Sequence, residues 1–243
     1  MTPTPAKAML YNTSRGSPAG GLFASMKACV AIYPASGFFG IMFPLVSIDM
    51  KDMSRFWIKL SLSASAATRE VASFSTRFSF EIKAFSNRTD DGMAFFLSSY
   101  PSKMPPSSGG GNLGLHAGDG MNAKGADRIV AVEFDTFRNR LFDPSPNHIG
   151  IDINTVKASV NTTTLPNFSL NGSMTATITF NGTTRMLLAS LHFDGNPSLD
   201  PVQVSTQLPD PVTDLLPSEV AVGFSAATGD RVELHRISCE VYK

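Results

Sequence analysis

An all-β sandwich of antiparallel sheets is predicted by three observations. From residue 71 onward nearly every segment alternates apolar and polar residues, or is rich in β-branched and aromatic side chains. Helical periodicity is almost absent, with a single hint of a turn at Thr213–Leu216. A length of 243 residues suits one large sandwich.

Taken in order, strands are predicted at 71–83, 92–98, 128–136, 148–153, 173–180, 185–193, 201–206, 219–225 and 231–241. Asn181-Gly182 lies between T-I-T-F and M-L-L-A-S-L, the dipeptide and flanks of a hairpin turn. Residues 101–125 are rich in Gly, Ser and Pro and predict one long functional loop. Phe95, Phe96, Phe134, Phe180 and Phe224 are expected in the core, and His116, His192 and His235 in structural positions.

Composition narrows the function. Charged residues make up 16%, the formal net charge is zero, and neither a basic patch nor an acidic tail is visible, which argues against nucleic acid as partner. The two cysteines, Cys29 and Cys239, match no metal-ligand spacing; two free, buried thiols are favoured over a disulfide between them. Six N-x-S/T sequons, at Asn12, Asn87, Asn161, Asn167, Asn171 and Asn181, lean toward the secretory pathway and a glycoprotein.

The densest chemistry lies in E-F-D-T-F-R-N-R-L-F-D-P-S-P-N-H. Glu133 and Asp135 project from one face of a strand, and the loop beyond carries Asn139, Asp143 and His148. Two close carboxylates on one strand face usually belong to a solvated surface. Here a further acid, an amide and an imidazole follow in order, and Pro144 and Pro146 mark a loop that can fold back over the strand. Hard oxygen ligands with one nitrogen suit Ca²⁺ beside Mn²⁺.

Six blocks carry a family resemblance: V-A-S-F-S-T-R-F-S-F, D-G-M-A-F-F-L, G-G-G-N-L-G-L, V-A-V-E-F-D-T-F-R-N, D-P-S-P-N-H-I-G-I-D-I-N and V-G-F-S-A-A-T-G, in that order from Val71 to Tyr242. The sequence resembles a legume-type (L-type) plant lectin domain. Its short Asp143–His148 gap is more similar to plant lectin-receptor ectodomains than to seed lectins. The resemblance implies a concanavalin-like jelly-roll β-sandwich and a non-enzymatic, Ca²⁺/Mn²⁺-dependent carbohydrate-binding function. It assigns Glu133, Asp135, Asp143 and His148 to Mn²⁺, and Asp135, Asn139, Asp143 and the Phe137 carbonyl to Ca²⁺. It assigns sugar binding to Asp91, preceded by a cis peptide bond, to the Gly111 N–H, Asn139 and the Phe137 ring, with Gly229 and Asp230 in the specificity loop Gly229-Asp230-Arg231.

The N-terminus departs from the family. Residues 1–65 read as an atypical segment and 66–243 as the lectin domain, with a back sheet that the missing opening strands leave incomplete; only Arg55-Phe56-Trp57 and residues 66–74 faintly resemble the family. Residues 1–48 contain no Asp or Glu. By length and apolarity the 21-residue run Ala28–Ile48 could span a membrane, although Pro34, Gly37, Gly40 and Pro44 interrupt it. Expected localisation is therefore the secretory pathway, extracellular or membrane-anchored. Expected partners are glycans or glycoconjugates, with a homo-oligomer left open.

Two other functions compete. Jelly-roll glucanases carry an E-x-D-x-E catalytic strand, but this chain reads Glu133-x-Asp135-x-Phe137, a ring where the second carboxylate is needed. A degenerate lectin fold serving as a structural or protein-interaction module gains weight only from the N-terminus.

Overall fold

The structure is a computed structural model that describes residues 11–12, 48–50, 54–62, 71–118, 122–229 and 231–238. Among the described residues thirteen strands form two antiparallel sheets. In chain order they are β1 Tyr11–Asn12, β2 Ile48–Met50, β3 Ser54–Ser61, β4 Phe74–Ala84, β5 Gly92–Ser99, β6 Ile129–Asp135, β7 His148–Ile153, β8 Asn161–Thr164, β9 Gly172–Asn181, β10 Met186–His192, β11 Val202–Gln207, β12 Glu219–Ala227 and β13 Glu233–Ser238. One sheet runs β1-β3-β12-β5-β6-β7-β8 and the other β11-β10-β9-β4-β13-β2. The nine predicted strands all appear, with ends shifted by a few residues. Val212–Asp214, near the predicted helical turn, is one turn of 3₁₀ helix.

The sheets bury their facing sides against each other. Along β4 the apolar set Phe74, Phe78, Phe80 and Ile82 alternates inward, and Phe78 meets the rings of Phe80, Phe95, Phe134 and Phe224. Such tilted, stacked and edge-on pairs add to the burial of the rings themselves. The hairpin expected at Asn181-Gly182 joins β9 and β10 through the four-residue loop 182–185, with Met186 opposite Asn181.

β5 and β6 are buried on both sides, which two-sheet packing alone does not require. The loop after β5 folds over their outer face. Leu113 and Leu115 from that loop pack with Trp57, Ala94, Phe96, Ile129 and Ala131 in a second core. Arg55, 2% exposed, ties this layer down. Its guanidinium donates to the carbonyls of Lys103 and Gly114 and to Ser98 Oγ, and lies 4.1 Å from the centre of the Phe96 ring. Burial lowers its pKa to about 9. The glycine-bearing loop is thus a packed layer.

Three strands lie N-terminal of residue 66. β3 was unforeseen: it pairs with β12 from Ser61↔Glu219 to Ser54↔Ala226 and receives β1 on its other edge, while β2 pairs with β13. Cys29, Cys239 and most of the run 28–48 lie outside the described residues. Among the described residues no helix is long and apolar enough to cross a membrane.

Candidate functional site

Strand register assembles the acidic cluster. β6 and β7 pair with Asp135 opposite His148 and Glu133 opposite Gly150, so all four sit on one face, with Asp152 two residues further along. The intervening Val132 and Phe134 point into the inter-sheet core. Gly150 provides space: a Cβ there would collide with Glu133 Oε1. Glu133 Oε1 accepts Ser159 Oγ at 2.6 Å and lies 3.1 Å from His148 Nε2. Glu133, Asp135 and His148, all buried, offer ligand atoms within 4.8 Å of one another.

The loop beyond β6 brings in the remainder. Phe137 N–H donates to Asp135 Oδ1 at 2.8 Å, and Asn139 N–H to Asp143 Oδ2 at 2.5 Å, while Asp143 N–H donates back to the Asn139 carbonyl. Asp143 stands beside the tight three-residue group.

Electrostatically the cluster is unbalanced. Burial pushes the Asp135 carboxyl well above its ordinary range, and the charges of Glu133 and Asp143 push it further. Burial raises Asp143 to about 6, against the opposing hydrogen bonds from Asn139. Asp152, 0% exposed, is raised strongly by burial and by Glu133. Burial lowers His148, but its hydrogen bond to Glu133 and the surrounding charge outweigh this and the net shift is upward. Several buried carboxyls thus crowd one imidazole. That donor set fits divalent metal ions, which would offset charge that desolvation otherwise penalises. Sequence reading missed Asp152 and Ser159. Asp152 was recoverable, since H-I-G-I-D places it on the His148 face by the period of two.

A second group converges beside the first. Asp91, 4% exposed, has backbone glycines against its carboxylate: a Cβ on Gly229 would lie 2.8 Å from Asp91 Oδ2, and one on Gly110 3.8 Å from it. Gly111 backs onto Asn139, where a Cβ would stand 2.5 Å from Nδ2. Asp91, Gly111, Asn139 and Gly229 are therefore brought together. Phe137 is half-buried next to them. Asp230 lies outside the described residues. Gly111→Ala is expected to push the Asn139 amide aside and weaken ligand binding about tenfold, a cost of about 1.4 kcal/mol. Titration of wild type and variant checks it, and equal affinities would detach Gly111 from the site.

One expectation is corrected. Among the described residues the cis peptide bonds are Tyr100–Pro101 and Asp210–Pro211, so Asp90–Asp91 is trans, the form that non-proline bonds favour by several kcal/mol. In this trans form the Asp90–Asp91 turn is held by hydrogen bonds to Glu233, Thr136 and Gly229.

The structure is thus a two-sheet antiparallel sandwich with a buried acidic cluster beside a convergent Asp/Gly/Asn group. The legume lectin domain matches residues 51–240, and the chain belongs to that family. It is 40% identical over 173 residues to agglutinin-2 of Cladrastis kentukea, across 71% of this chain and 58% of that protein. It is 33% identical over 177 residues to a mannose/glucose-specific lectin of Centrolobium tomentosum, across 70% and 68%. Lectin II from Ulex europaeus superposes with a TM-score of 0.69 at 27% identity, over 95% of this chain and 96% of that one. The chain spans 58% and 65% of the Cladrastis lectin and of a lectin of Onobrychis viciifolia, less than two thirds of each. These relatives are lectins and agglutinins, and the family match gives no support to the hydrolase alternative.

Proposed function

We propose that this protein binds glycans, without cleaving them, through Asp91, the Gly111 N–H, Asn139 and the Phe137 ring, with Gly229 and Asp230 shaping specificity. The observation that carries this reading is the convergence of Asp91, Gly111, Asn139 and Gly229 beside the buried acidic cluster. A saccharide is neutral and strongly hydrated, so its binding must replace water hydrogen bonds with well-oriented ones. The Asp91 carboxylate accepts from sugar hydroxyls. The Asn139 amide and Gly111 N–H donate to them. The Phe137 ring covers the apolar C–H face.

Glu133, Asp135, Asp143 and His148 would hold Mn²⁺, and Asp135, Asn139, Asp143 and the Phe137 carbonyl would hold Ca²⁺. Bound metal supplies positive charge that fixes the loop carrying Phe137 and Asn139, as supports behind a binding group do. The six sequons support passage through the secretory pathway. The 66–243 lectin domain follows an N-terminal segment that is atypical for the family, although β3 and the family match both reach upstream of residue 66.

A glycan array with and without EDTA tests the reading. Asp91→Asn keeps the shape but removes the charged acceptor, which contributes about 1.5–3 kcal/mol for such a bond. Affinity for any array-positive glycan should fall at least tenfold while metal content persists. Unchanged affinity would move the site elsewhere.

A further inference from the structure

Beyond Phe137, on the side of Thr136, Arg138 and Arg231, lies a cleft of about 410 Å³ whose described lining includes four arginines, Arg88, Arg138, Arg140 and Arg231, and, among the described residues, no acidic side chain. In a chain with 20 basic and 20 acidic residues, that local bias is pronounced. Among the described residues basic side chains are used elsewhere in ion pairs, Lys59 with Glu219, Arg185 with Asp210 and Arg236 with Glu81. Arg88, Arg138 and Arg140 are exposed and take part in none. Arg231 donates from Nη1 to the Thr89 carbonyl at 3.5 Å, and among the described residues it forms no side-chain ion pair.

Two aromatic residues complete the walls. Phe137 is half-buried, and Phe168 is 45% exposed with a backbone φ of 63°, a left-handed conformation that bulky side chains seldom adopt. Guanidinium forks recognise carboxylate, sulfate and phosphate in bidentate fashion, and ring faces cover sugar C–H surfaces. Four like charges around one cleft also repel one another, so an anionic ligand gains from all of them.

We infer that this cleft is an accessory subsite for an acidic saccharide, one bearing uronate or sulfate groups, continuous with the glycan site at Phe137. The inference rests on the carbohydrate-binding reading and refines its ligand class. A neutral sugar engages Asp91, Gly111 and Asn139 alone, whereas an acidic oligosaccharide also places an anionic group among the arginines.

The test uses an oligogalacturonide, a sulfated oligosaccharide and a neutral array-positive glycan, titrated against protein from a bacterial host. That host adds no N-glycan at Asn87 or Asn167, two sequons on the cleft wall. At least one acidic probe should bind tighter than the neutral glycan, and its affinity should fall at least tenfold between low and high salt. The double variant Arg88→Gln/Arg140→Gln should weaken the acidic probe at least tenfold and leave the neutral glycan within twofold. The uronate and sulfate arms show which anion the cleft prefers. Acidic probes no tighter than neutral ones, or unaffected by the double variant, overturn the subsite while neutral binding and its loss in Asp91→Asn keep the glycan site. No binding by any saccharide overturns both.

Discussion

Chelation of divalent cations is expected to lower the melting temperature by roughly 10 °C at pH 7, and by much less at pH 5. Metal bound at a thousandfold excess over its dissociation constant stabilises the fold by about 4 kcal/mol, and each kcal/mol shifts a domain of this size by about 2–4 °C. The pH dependence follows from the acidic cluster. Asp143 has a folded pKa of about 6, and Asp135 and Asp152 are raised well above their ordinary value, so the folded protein holds protons that the unfolded chain has released. For a raised carboxyl the native state gains at low pH, and that gain disappears as pH climbs from about 4 through the folded pKa. His148, also raised, acts in the same direction: its contribution is present below about 6.5 and is lost above its folded pKa. Chelated protein should therefore become less stable between pH 4 and 7. Metal needs deprotonated carboxylates and a neutral imidazole, so its stabilisation grows over that window. Thermal melts at pH 5 and pH 7, with EDTA and with added Ca²⁺ and Mn²⁺, measure both trends. Equal EDTA shifts at the two pH values, or no shift at all, would sink the two-metal assignment.

Alternation and turn residues placed β4 to β7 and β9 to β13, because those patterns are local. What they missed depends on distant partners. β3 alternates only briefly and owes its place to β12, more than 150 residues away, and to a loop that buries Trp57 from outside. β8, in N-T-T-T, reads as a sequon-rich turn and becomes a strand only by pairing with β7. Within the site, Glu133, Asp135, Asn139, Asp143 and His148 lie in one short stretch, so their meeting was legible from strand geometry. Asp91 and Gly111 needed a family resemblance, since nothing local places either beside Asn139. Glu233 and Thr136 carried no sequence signal.

Replacement of Glu233 by Ala should cost stability and glycan affinity together, although Glu233 touches no saccharide group. This carboxylate is 0% exposed at the start of β13, where the pairing of Glu233 with Ala84 carries it beneath the Asp90–Asp91 turn. Oε1 accepts the Asp90 N–H at 2.7 Å, and Oε2 accepts Thr136 Oγ1 at 2.8 Å. The Thr136 hydroxyl also lies against the Asp90 carbonyl. Asp90 Oδ2 in turn accepts the N–H groups of Gly229 at 2.6 Å and Arg231 at 3.2 Å. One buried carboxylate thus joins the loop before β5, the exit of β6 and the loop before β13, which bear Asp91, Phe137 and Gly229. Truncation strands the buried Asp90 N–H, while the Thr136 hydroxyl can turn to the Asp90 carbonyl, so a loss of about 1–3 kcal/mol is expected. Glycan affinity should fall at least thirtyfold, measured where the variant remains folded. Glu233→Gln keeps an acceptor for Asp90 N–H, and the Thr136 hydroxyl can turn to the Asp90 carbonyl, so it should retain most of the affinity. Phe78→Ala provides the contrast: it removes about 3–5 kcal/mol from the inter-sheet core and should leave affinity unchanged in the folded fraction. If Glu233→Ala binds glycan as wild type does, or if Phe78→Ala loses affinity equally, Glu233 is only a core residue and the three loops are positioned by other contacts.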